Sequence, residues 1–249
     1  MSAVTKTGHS PRRPGPAPVP RSGATYRAVR WVGLGVVVAL LVAVAAVLLR
    51  GSADEPSARV VAGEVEVPGH LTSDGWIALG DGPVTVAVYF DYLCPACGAF
   101  EAANGGELER LLTAGEITLE LRPIAFLDHL SEGTEYSTRS ANALATVVDA
   151  DPGPVWDFHR ALYAAQPQEG SEGLTDEQLA ALANQAGVAE DVSSRFAEGR
   201  FEAWTAERTE RAFADGVEGT PTILVDGQVF DGDPYTTGPL TAAVEQAGR

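Results

Sequence analysis

VTVAVYFDYLCPAC, residues 84–97, joins a continuously apolar run to two cysteines three positions apart. From Val84 to Phe90 every residue but Thr85 is apolar, and most are β-branched or aromatic, the pattern of a central strand covered on both faces. A helix through Leu112 should follow, because Pro95 suits a first helical turn, where a backbone donor would go unused. Cys94 then stands near the N-cap, with amides and the positive end of the helix dipole directed at its sulfur. Cysteines so placed ionise at about 3.5 to 7.5 instead of about 8.5. Cys94 is therefore expected to attack and leave readily at neutral pH, while Cys97, one turn along and buried, waits.

A C-x-x-C pair alone leaves open a structural bridge and half of a metal site. A disulfide closing two intervening residues removes little chain entropy and would stabilise poorly. Zinc would need two further ligands, and His9, His70, His129 and His159 show no ligand-like pairing, so no metal is expected. The second informative stretch is Val217-Glu218-Gly219-Thr220-Pro221-Thr222, directly before another strand pattern. With Gly219 giving freedom ahead of it, Pro221 could hold a cis bond, remove an amide donor and leave the Thr220 backbone for an incoming extended chain. An isolated Thr-Pro reads more simply as a turn. Together with Cys-Pro-x-Cys it reads as the substrate side of a redox site.

On either side of this stretch, Trp76 to Leu79 is a candidate strand, and Ile117 to Leu121 alternates into a strand that must end near Pro123. From Glu135 to Asp215 the spacing turns helical, as in Leu144, Val147 and Val148, Phe158 and Leu162, and Leu179, Leu182, Ala183 and Ala186. Thr175 and Gln178 form a capping-box signal for a helix that Gly187 should close. Trp156, Phe158, Leu162 and Tyr163 fall at helical spacing and are read as core. Thr222 to Val225 returns to strand pattern, Asp226-Gly227 signals a type I′ turn, Val229-Phe230 starts the partner strand, and a helix from Pro239 to Gln246 finishes the chain. The order implies an α/β fold with a helical block inserted between strands. Asp91 and Glu101 are the carboxylates nearest the cysteines, and both are expected to be solvated, the common fate at a strand end. No phosphate loop, Rossmann fingerprint or nucleophile elbow is present, so no cofactor is expected.

The 249 residues carry 17 Lys and Arg against 34 Asp and Glu, a net charge of -17 that argues against nucleic-acid partners. Two cysteines exclude a disulfide-dense scaffold and a four-cysteine zinc site. Residues 1–30 hold six cations and no acid, with five prolines in PRRPGPAPVP (11–20), and read as a disordered basic tail. Trp31 to Leu49 is nineteen uncharged residues, long enough for most of the ~30 Å hydrocarbon core as one transmembrane helix. The positive-inside rule then holds the N-terminus in the cytoplasm and sends the rest outside, into an oxidising compartment. Ser52 and Ala53 could instead end a removable signal peptide, but the apolar run and basic leader are both long for one. Residues 50–59 read as a tether, and 60–249 as the outer domain, with its helical insert at about 133–216.

The quoted residues resemble the DsbA-like thiol-disulfide oxidoreductases, thioredoxin folds with an inserted helical domain. The resemblance rests on FDYLCPAC (90–97), LRPIAF (121–126), WDFHRALYAAQP (156–167) and GVEGTPTILVDG (216–227), and spans most of residues 75–249. It implies that Cys94 is the nucleophile, that Cys97 resolves the mixed disulfide, that the two form a redox-active disulfide, and that Thr220 and Pro221 bind substrate backbone. Pro95 and Ala96 tune the pair. Ala96 stands where the strongest oxidant of the family has a histidine, implying a less oxidising disulfide. Val88 stands where thioredoxin-fold enzymes often carry a buried acid. The resemblance also implies unfolded or reduced exported proteins as substrates and a membrane quinone-linked reoxidase of the DsbB or VKOR type. Single-pass outward-facing forms are familiar in actinobacteria, and a chain with Lys6 as its one lysine agrees with a high-GC genome. A membrane-anchored reductase or isomerase, and a non-catalytic thioredoxin-fold adaptor, are the alternative functions.

Overall fold

A computed structural model describes residues 65–249. The basic tail, the apolar run at 31–49 and the tether at 50–59 lie outside the described residues, as does any test of the membrane span. Among the described residues no helix is long and apolar enough to cross a membrane.

Strand β2 (Val84–Phe90) is the centre of the sheet, as its apolar run requires. It pairs in parallel with β3 (Ile117–Pro123), from Val84 opposite Ile117 to Phe90 opposite Pro123. A parallel pair needs a crossover, and helix α1 (Pro95–Thr113) supplies it. On the other side β4 (Thr222–Val225) runs antiparallel to β2, with Val88 opposite Ile223. The edges are β1 (Ile77–Leu79) against β3 and β5 (Gln228–Val229) against β4, giving the order β1-β3-β2-β4-β5. Trp76 falls just outside β1: its N–H donates to the Thr72 hydroxyl at 3.1 Å and its carbonyl accepts from Thr72 N at 2.8 Å, so a turn claims the groups a ladder would use.

Between β3 and β4 the chain forms α2 (Tyr136–Ala150), α3 (Val155–Ala164), α4 (Asp176–Gln185), the short α5 (Glu190–Ser193) and α6 (Glu202–Ala214). Leu144, Val147, Val148, Phe158, Leu162, Leu179 and Ala183 are buried as their spacing indicates, whereas Trp156 and Tyr163 are only partly so. Helix α3 rests on α1 and α6 on β3, so the insert closes over the crossover instead of standing apart. The Thr175 capping box is complete: its Oγ1 accepts from Gln178 N at 3.3 Å, and Gln178 Oε1 accepts from Thr175 N at 2.8 Å. After β4 the turn carries Asp226 at φ 46° and Gly227 at φ 77°, both positive as a type I′ turn demands. The last helix, α7 (Pro239–Ala247), packs on β2 and β4.

One large core runs through both parts, from Val86 and Leu119 in the sheet to Phe158 and Leu162 in the insert. Each such side chain contributes about 1.5–3 kcal/mol on burial. A smaller apolar cluster of Trp76, Tyr89, Ile124, Ala212 and Val217 holds α6 against the opposite face of the sheet.

Candidate active site

Cys94 is the N-cap of α1, with extended backbone (φ -72°, ψ 115°), and Pro95 opens the first turn. The Cys94 carbonyl accepts the N–H groups of Cys97 and Gly98 at 3.1 Å each, starting the helix. Its thiol donates to the Thr220 carbonyl at 3.4 Å, across 126 residues of chain. The Thr220–Pro221 peptide bond is cis. The two motifs that the sequence holds far apart therefore meet at one sulfur. Ala96 is half-buried and packs on the core, and its side chain offers no polar group to the pair.

Both cysteines are free thiols, Cys94 7% and Cys97 1% exposed. The Cys94 thiol is lowered to about 6, chiefly by a hydrogen bond with Cys97 and further by Thr220 and the Cys97 and Ala96 amides, against an opposing contribution from burial. Burial, with Cys94 close by, pushes the Cys97 thiol well above its ordinary value. The pair is therefore polarised: one thiolate near neutrality and one sealed thiol beside it.

The expectation that Asp91 and Glu101 are solvated is wrong for both. Asp91 is 1% exposed. One carboxylate oxygen accepts from Leu93 N and the Ser137 hydroxyl, the other from Phe126 N and Leu127 N, all at 2.8 Å. It thus ties the loop before Cys94 to the chain leaving β3 and to α2. Burial raises its carboxyl to about 6 in spite of these donors. Glu101, 9% exposed, lies one turn beyond Cys97 on α1. Its carboxylate stands 3.5 Å from His159 Nε2, and His159 Nδ1 shares a 2.9 Å hydrogen bond with the Tyr92 hydroxyl. Val88 is apolar in β2, and Glu101 is a buried acid carried by the same helix as the resolving thiol. Tyr163 closes this layer, its hydroxyl donating to the Asp91 carbonyl at 3.4 Å.

Local pattern misses these groups because, apart from Leu93, their partners lie 35 to 72 positions away. The one usable signal was the segment 156–167, whose histidine, tyrosine and glutamine all reach toward the loop at 91–94.

The protein-family model described as Thioredoxin matches residues 74–246. Among solved structures, the fold is similar to the thiol-disulfide oxidoreductase MdbA of Actinomyces oris, with TM-score 0.63 and 28% identity over 74% of this chain and 91% of that one. It is also similar to oxidised DsbA of Mycobacterium tuberculosis, with TM-score 0.61 and 28% identity over 70% and 92% of the two chains. Disulfide bond formation protein D of Bacillus subtilis is 27% identical over 173 residues, 68% of this chain and 75% of that protein. The chain spans only 22% of the length of the first curated relative it matches, serine/threonine-protein kinase PknE of Mycobacterium tuberculosis, at 28% identity over 123 residues.

Proposed function

The chain belongs to the thioredoxin family, among its DsbA-like thiol-disulfide oxidoreductases, and from that premise we propose that it introduces disulfides into exported proteins from the outer face of the cell membrane. The observation that carries the reading is Cys94 at the head of α1, its sulfur against the Thr220 carbonyl and the sealed Cys97 behind it. In the oxidised enzyme a substrate thiolate attacks Cys94 Sγ, the Cys94–Cys97 bond breaks, and Cys97 departs with the electron pair and takes up a proton. A second substrate thiolate then attacks the substrate sulfur of the mixed disulfide and expels Cys94 as thiolate; alternatively the Cys97 thiolate attacks Cys94 Sγ, expels the substrate thiolate and restores the Cys94–Cys97 disulfide, so removing Cys97 strands the intermediate. Two electrons pass from the substrate dithiol to the pair. The low Cys94 value makes that sulfur a good leaving group and stabilises the reduced enzyme, which favours oxidation of substrate. The electrons leave to a membrane quinone-linked oxidase of the DsbB or VKOR type. The nineteen-residue apolar run behind six cations supports an anchor that keeps enzyme and reoxidase in one membrane. Thr220 and Pro221 line the edge where an extended substrate segment would lie beside Cys94.

Two measurements test this. Cys97→Ser should accumulate disulfide-linked exported proteins on non-reducing gels, and Cys94→Ser should accumulate none. Equilibration of the full chain with glutathione should give a potential well above the thioredoxin value of about -270 mV; a value below about -250 mV would make the protein a reductase.

A further inference from the structure

Gln166 reaches from just beyond α3 onto the head of α1. Its Nε2 donates to the carbonyls of Tyr92 at 3.1 Å and Cys94 at 2.8 Å, one on each side of Leu93. Its Oε1 fills the space over Gly98, where a Cβ would overlap it. A helical glycine costs about 1 kcal/mol relative to alanine, and this contact is what the glycine at 98 makes room for. From the other side Asp91 holds the same loop, its carboxylate on Leu93 N and its carbonyl on Cys94 N at 3.1 Å. The peptide planes around Cys94 are thus set from two directions, and one of them belongs to the helical insert.

We propose that Gln166 is a positioning residue for the exchanging cysteine: its carboxamide, seated over Gly98, fixes the backbone at 92–94 so that the first amides of α1 face Cys94 Sγ. Through this clip the insert sets the thiolate stability, and hence the oxidising strength, of the Cys94–Cys97 pair. Two carbonyl oxygens close to a forming thiolate oppose it, and a donor on both of them relieves that opposition. The proposal rests on Cys94 being the sulfur that exchanges with substrate, as the proposed function has it.

The test uses the full-length reduced protein and three readouts: Cys94 alkylation by iodoacetamide against pH, the equilibrium with glutathione, and thermal unfolding. Gln166→Ala removes the donor, Gln166→Glu keeps the shape but places an acceptor against two carbonyls, and Gly98→Ala occupies the seat with Gln166 intact. Each should raise the Cys94 midpoint by about one pH unit, equivalent to about tenfold weaker oxidation against glutathione. Gln166→Glu should give the largest change. Gly98→Ala should lower the melting temperature less than Gln166→Ala does, since alanine is the better helix former, while raising the midpoint by as much. A structural role alone does not produce that combination. The double variant Gly98→Ala/Gln166→Ala should move the midpoint no further than Gln166→Ala alone, because the seat is already empty. Wild-type midpoints in all variants, or strictly additive changes in the double variant, would overturn the clip while leaving Cys94 as nucleophile. A wild-type Cys94 midpoint near the free-thiol value of about 8.5 would instead remove the premise about Cys94.

Discussion

Two aspartates follow strands of the same sheet and meet opposite fates. Asp91 leaves β2 and is 1% exposed, with four donors on its carboxylate from as far away as Ser137. Asp226 leaves β4 at the other end of the sheet, is exposed, and its carboxylate accepts a single bond, from Thr85 N at 2.8 Å. The residue type and the local position are the same. The difference is what the chain later brings to each end: the exit of β3 and the insert close over Asp91, whereas only a two-residue turn surrounds Asp226. Chemistry sits at the covered end because a cysteine can be polarised there by fixed dipoles, away from competing water.

The contrast breaks or holds first on stability. Asp91→Ala leaves three backbone N–H groups without their acceptor and should cost about 3–5 kcal/mol in urea unfolding. A cost below about 1 kcal/mol would place Asp91 in the same class as an ordinary turn residue.

A second effect is confined to the covered end and depends on redox state. The Cys94 value is lowered, so it contributes stability to the reduced form that is present above the ordinary thiol range and lost as pH falls through about 6. Reduced protein should therefore gain stability relative to oxidised protein between pH 6 and about 8.5, above which the buried Cys97 acts in the opposite sense. Asp91 is raised instead, so its contribution is present below the ordinary carboxylate range and lost as pH rises through about 6, in both redox forms. Paired denaturant titrations of oxidised, reduced and Asp91→Asn protein over this range separate the two groups. A reduced-minus-oxidised difference that is flat with pH would show Cys94 to be unpolarised.

At the open end the effects should be smaller and leave the redox equilibrium alone. Gly227→Ala forces an L side chain into φ 77° and should cost about 1–2 kcal/mol. Asp226→Ala loses one solvent-exposed hydrogen bond and should cost about 0.5–1 kcal/mol. A change in the glutathione equilibrium with either variant would mean that the two ends of the sheet are coupled.

Legibility in the sequence follows the same divide. The Asp226-Gly227 turn, the Thr175 capping box and Pro95 at the head of α1 each act within four residues, so their residue types specify their geometry without help from the rest of the chain. Strand β2 was readable because burial on both faces leaves a continuous apolar run. Asp91 and Glu101 were misread because a carboxylate's solvation depends on partners that local pattern does not name.

The order of elements, the α/β class and the position of the cysteine pair follow from local chain chemistry, because periodicity, turn residues and the proline in Cys-Pro-Ala-Cys act over one or two turns of chain. Which groups surround that pair depends on how distant segments pack together. Thr220 faces Cys94 from 126 positions away, Gln166 reaches it from 72, and the His159 ring stands between Glu101 and Tyr92. The Thr220 contact follows from pairing β4 with β2, and the other two from closing the insert over the crossover helix, packing outcomes driven largely by non-directional apolar burial that no local run of residues encodes.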